Sequence, residues 1–260
     1  MDKPIQEKLI NSKSISFVAI MSALGTLLAI LSVYLLPIVG TQVAFDLSHI
    51  GTYIVALAGG PILGAITGSI VGFLPSYRFA NPAIMPGKLM TGFFIGLFYG
   101  LFQKIDKIKN SKILLTVCLV VSGLLGYIPE FIFTWWDMLY IVGLPFEAVV
   151  LPTLIKALVE IVLITALMAV IFNIKNIKNL LERLVGSQIK LSIYDYLLSA
   201  IITIPIFSIS LYLVSMNTLI PIDPWNLKPE VFGLILWISM GIETALIGAL
   251  LTYYLYSKYK

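Results

Sequence analysis

The chain has 260 residues, 59% of them apolar and only 12% charged, against roughly half and a quarter in an average globular domain. That balance excludes a soluble fold and marks a polytopic membrane protein; the net charge of +4 and pI near 9.0 then reflect loop lysines at a membrane face rather than a nucleic-acid partner. About eight apolar stretches of roughly 20 residues, each able to cross a ~30 Å hydrocarbon core, leave too little chain for a separate soluble domain. Any ATP-hydrolysing unit therefore belongs to another polypeptide.

The predicted helices, in chain order, span 14–38, 47–59, 61–75, 88–104, 113–134, 148–173, 192–216 and 231–256. The first begins behind Lys3, Lys8 and Lys13 and continues past Leu36, too long for a signal peptide, so it is expected to be retained. Gly59, Gly60 and Pro61 interrupt one apolar tract and split it into the short second and third helices. Gly60, Gly64, Gly68 and Gly72 form a stripe along the third, and Gly92, Gly96 and Gly100 another along the fourth. Such stripes let backbones approach closely, a main source of helix association in lipid. Cys118 lies alone in an apolar run, which excludes a disulfide framework and a cysteine metal site.

Lysine and arginine sort by loop. Three precede the first helix, four (Lys104, Lys107, Lys109, Lys112) follow the fourth, four (Lys175, Lys178, Arg183, Lys190) follow the sixth, and Lys258 and Lys260 end the chain. If eight helices alternate, these 13 share one side, and the other side holds only Arg78, Lys88 and Lys228. The asymmetry places both termini in the cytoplasm. The opposite, outward loops carry Pro37, Gly40, Asp46, His49, the 75–88 connection, Trp135, Trp136, Asp137, Tyr140, Glu147 and the turn at 221–230. For the tryptophans alone, the aromatic belt of any membrane protein is the commoner explanation.

Ala19 and Ala23, one turn apart in the first helix, make a flat groove on its cytoplasmic half. Together with the basic N-terminus, Phe45-Asp46-Leu47-Ser48-His49 and Gly59-Gly60-Pro61-Ile62-Leu63-Gly64-Ala65, this pattern resembles the substrate-binding S component of energy-coupling factor (ECF) vitamin transporters over about residues 10–175. The Asp-x-Ser and Gly-Pro-x-x-Gly segments are nearest its riboflavin-type branch. The resemblance implies an all-α six-helix membrane bundle that captures a vitamin or similar small molecule from outside. It also implies a helical T component docking on Ala19 and Ala23, and two ATPase subunits that drive release inward. The last 70 or so residues depart from the family by adding a two-helix hairpin, so the chain is expected to divide into 1–180 and 181–260, within a multi-pass protein of the cell membrane.

No catalytic constellation emerges, and no cofactor or metal is expected. His49 is the only histidine, which excludes a histidine-pair zinc site. Pro86-Gly87-Lys88-Leu89 lacks the first glycine and the trailing Ser or Thr of a phosphate loop. Lys156 and Glu160, four apart in the sixth helix, lie too deep to be without a partner, since a charge there costs at least ~2.5 kcal/mol. They are read either as facing a ligand cavity or as a structural i,i+4 pair. Glu130 closes the fifth helix beside Pro129; Glu243, in the middle of the eighth, has no basic neighbour in its own helix and is a candidate partner for Lys156. Asp46 and His49, each taken singly, read as a helix cap and its solvated neighbour. With Glu130, Trp135, Trp136, Asp137, Tyr140, Lys156 and Glu160 they are instead candidates for a ligand site, stacking a flat polar molecule and orienting it by a few polar groups. Two rival readings remain: an intramembrane enzyme acting on a lipid or prenyl substrate through Glu130, Asp137 or Glu160, without a paired acidic motif, and a stand-alone transporter with a proton relay through Lys156, Glu160 and Glu243.

Overall fold

A computed structural model describes residues 11–35, 45–185, 189 and 191–215. The described chain is helical: α1 (Ser12–Leu35), α2 (His49–Gly59), α3 (Pro61–Arg78), α4 (Ile84–Phe102), a one-turn α5 (Asp106–Lys109), α6 (Lys112–Trp136), α7 (Leu151–Asn173), α8 (Lys175–Val185) and α9 (Ile193–Ser215). Two π-helical turns, Asp137–Ile141 and Phe146–Val150, carry the chain from α6 into α7 around Gly143, whose φ is +72°. Among the described residues, four stretches are long and apolar enough to cross a membrane, Ser12–Ser32, Ile84–Gln103, Lys112–Ile141 and Phe146–Asn173, and His49–Gly59 and Tyr194–Ile206 are shorter apolar helices. The predicted helix 231–256 with Glu243, the turn at 221–230, and Pro37 and Gly40 lie outside the described residues.

α4 is the axis of the bundle. Beyond Lys88 and Thr91 near its start it is apolar on every side, and Phe93, Phe94, Ile95, Leu97, Phe98 and Tyr99 are all buried. A helix of that kind has no face for water and is stable only when surrounded; α2, α3 and α6 enclose it. α1, α3, α6 and α7 instead leave one apolar face outward, including Ile20, Phe73, Val117 and Val162, as expected for helices bordered by lipid.

The glycine stripes form the α3–α4 seam. An added Cβ at Gly64 would collide with the carbonyl oxygen of Gly92, one at Gly92 with that of Gly64, and one at Gly68 with that of Lys88. Gly60 has a φ of +86°, which only glycine adopts without strain, and so permits the abrupt reversal from α2 into α3.

Two expectations change. The segment after the sixth predicted helix is not a loop: residues 175–185 form α8, which buries Leu181 and Val185 against the bundle and leaves Leu180 and Leu184 exposed on a flank. Lys88, counted among outward loop charges, lies within α4 and is only 2% exposed. Pro86 sits in the first turn of α4, where its missing N–H has no intrahelical role, so the helix starts before the residues that suggested a loop.

Candidate functional site

α2, α4 and α7 begin, and α6 ends, at one end of the bundle, opposite the lysine-rich segments 104–112 and 175–183. Each contributes polar side chains there, and they meet in a single cluster. Lys88 on α4 reaches the Asp46 carboxylate and donates to the Ser48 hydroxyl. The Asp46 backbone N–H donates to Glu160 on α7, and the other Glu160 oxygen pairs with Lys156 at 3.1 Å. Glu130 on α6 accepts a hydrogen bond from Thr91, one turn beyond Lys88 on α4, and its other oxygen is 3.7 Å from His49 Nε2.

Local structure fixes each member. The segment before α2 is anchored by the Leu47 N–H on the Ser32 hydroxyl of α1 at 3.0 Å. Asp46 then folds its own Oδ1 onto the Ser48 N–H at 3.0 Å, an Asx turn that aims Oδ2 at Lys88. The seam positions Lys88 from below, because Gly68 lets α3 approach its carbonyl and an added Cβ on Gly72 would stand 3.5 Å from its Cδ. On α6, Tyr127 holds the His49 ring edge-on at a centroid distance of 6.0 Å.

The readings of Asp46 and His49 as a cap and a solvated neighbour are thus corrected. α2 starts at His49 with Ser48 as its N-cap and no side-chain cap bond; Asp46 pairs with Lys88, and His49 is buried. A buried histidine whose Nε2 faces a buried acid is not a surface neighbour. Lys156 and Glu160 do form an i,i+4 pair, and Glu160 also ties α7 to the segment before α2.

Of the nine expected ligand-site residues, Asp46, His49, Glu130, Lys156 and Glu160 converge in this cluster. The others occupy the next turns of α6 and the π turn that follows. Trp135 is buried with its ring against Phe146 at 6.3 Å, Trp136 lies 5.9 Å from Phe133, and Tyr140 is partly buried. Asp137 is buried and accepts from Asn81 Nδ2 at 2.6 Å, tying the α3–α4 connection to the end of α6. Sequence reasoning missed Lys88, Ser48 and Thr91. A usable signal existed for the two on α4, since Lys88 and Thr91 are three apart on one helix face. Ala19 and Ala23 are exposed on α1, between exposed Ile15, Ile20 and Leu24.

A multi-pass helical membrane protein that gathers charges from three helices and the segment before a fourth at one end has the build of a solute-handling protein, because intramembrane ionisable groups persist where they serve a pathway or a ligand. The family is explicit: residues 13–174 match the model for the ECF transporter, substrate-specific component, and the chain belongs to that family. It is thus a membrane substrate-binding component of ECF transporters, from a transporter family and not an enzyme family. No curated protein and no solved structure matches the chain.

Proposed function

We propose that this chain captures a vitamin or related micronutrient from outside the cell membrane as the S component of an ATP-driven importer, of a kind that resembles the riboflavin-type branch. The observation that carries the reading is the cluster in which buried Lys88, Glu130 and Glu160 meet the partly buried Asp46 and Lys156 at the end away from the lysine-rich loops. Under the positive-inside rule that end faces outward and both termini face the cytoplasm. The cluster supplies polar contacts, and Trp135, Trp136, Asp137 and Tyr140 supply apolar wall and hydrogen bonds on the α6 side, the combination a small-molecule pocket needs.

The exposed Ala19 and Ala23 are assigned to the T component, which two ATPase subunits drive. Small side chains there allow another helix to approach, which larger ones would block. Residues 1–180 are assigned to the substrate-binding unit and 181–260 to the added hairpin. Replacing both alanines by leucine tests the assignment. Uptake by cells expressing the whole transporter is expected to fall at least about tenfold, equivalent to about 1.4 kcal/mol, while ligand binding to the purified chain stays within about twofold. Uptake that survives the change removes this face from the coupling interface.

A further inference from the structure

Charge inside the cluster is uneven. Lys88 is committed to Asp46 and Ser48, and Lys156 is held by Glu160. Glu130 is 6% exposed and has no ammonium group within ion-pairing distance among the described residues; its contacts are the Thr91 hydroxyl and His49 Nε2 at 3.7 Å. A formed charge-assisted N–H···O bond closes to about 2.7–2.9 Å. His49 and Glu130 therefore face each other across a gap that no hydrogen bond spans.

The far side of the imidazole is unmatched as well. His49 is 4% exposed and its Nδ1 has no hydrogen-bond partner, and neither does the buried hydroxyl of Thr52, one turn further along α2. Native proteins leave few buried polar groups unpaired, and each that remains calls for a partner such as a water, an ion or a ligand. On the α4 side Gly87 lies beside the acid, where an added Cβ would stand 3.4 Å from Glu130 Cγ.

Building on the capture reading above, the geometry points to a small cationic substrate, whose protonated nitrogen donates to the Glu130 carboxylate and whose adjacent polar edge meets His49. An anion meets the opposite situation, because both lysines of the cluster already hold carboxylates and the carboxylate without a cation is Glu130.

Benzamidinium, benzamide and benzoate share a shape and are respectively cationic, neutral and anionic. Each is added at millimolar concentration to the purified full-length chain in lipid nanodiscs, and the thermal midpoint is recorded. Benzamidinium alone is expected to raise it. Glu130→Asp is expected to retain that effect, and Glu130→Gln to weaken the apparent affinity by about tenfold or more. Should Glu130→Gln lose its fold, His49→Gln provides the second reading, with a fall in benzamidinium affinity expected there too. Equal stabilisation by benzoate or benzamide, an undiminished benzamidinium effect in Glu130→Gln, or no benzamidinium effect overturns the proposal. Small molecules retained by the wild-type chain are identified in parallel by mass spectrometry. A retained cation supports the proposal, and a retained anion or neutral compound overturns the charge assignment while solute capture stands. Retention of nothing, together with no benzamidinium effect, removes both readings.

Discussion

Lys156 and Glu160 stand one turn apart on α7, and the 3.1 Å contact between them is the interaction their spacing allows. Glu160 is the more buried partner and accepts a second bond, from the Asp46 N–H, so its charge is held from two elements. Removing the ammonium strands that carboxylate with a single donor. Lys156→Met is therefore expected to destabilise the protein by about 3 kcal/mol, in the range seen when one partner of a buried pair is deleted. Adding Glu160→Gln removes the stranded charge and keeps an oxygen that accepts the Asp46 N–H. The double variant should recover most of the loss, and the thermal midpoints of the two single variants and the double in one detergent give the coupling directly. A double variant as unstable as Lys156→Met would mean that Glu160 is not the group that needs Lys156.

At the scale of elements, the α3–α4 seam is held by the absence of side chains. In an ordinary helix Gly→Ala gains about 1 kcal/mol through backbone entropy. At Gly92 the sign should reverse, since the new methyl meets the Gly64 carbonyl and the Thr52 side chain, neither of which yields without moving a helix. A net loss of about 1–3 kcal/mol is expected for Gly92→Ala, read as a lower thermal midpoint. Because Lys88 and Thr91 ride on the same turns, the variant should also loosen the polar cluster. α8 illustrates the other kind of element. Its mean polarity hides it from a search for apolar stretches, but Ile177, Leu181 and Val185 recur every fourth residue and pack it against the bundle end.

For the whole molecule, the arrangement of helix ends separates two chemistries. Lys104, Lys107, Lys112, Lys175, Lys178 and Arg183 gather where α4 and α7 end and α6 begins, and the buried charge cluster lies where α2, α4 and α7 start. With the lysine-rich end in the cytoplasm, an impermeant maleimide applied to intact cells should fail to label a cysteine placed at Lys109 or Lys178 and should label it after permeabilisation. The native Cys118 is buried, which keeps the background low. Labelling from outside would invert the orientation and with it the side from which a solute enters.

Much of this was written locally. Helix positions, the glycine stripes, the Lys156–Glu160 pair and the charge asymmetry depend on spacing along one segment, and residues a few positions apart on a helix are neighbours whatever the rest of the chain does. The family resemblance over the first six predicted helices rested on such local segments and agrees with the match over 13–174. Lys88 with Asp46, Thr91 with Glu130, and His49 facing Glu130 are 42, 39 and 81 positions apart and could not be read this way. Which charge meets which is decided by how α2, α4, α6 and α7 pack, and hydropathy is blind to it, because a lysine within an apolar helix looks the same whether it heads a loop or enters the core. The glycine seam supplies the missing information: by drawing α3 and α4 together it sets the height and rotation of α4, turns Lys88 inward, and so assembles the charged cluster that the separate helices do not contain.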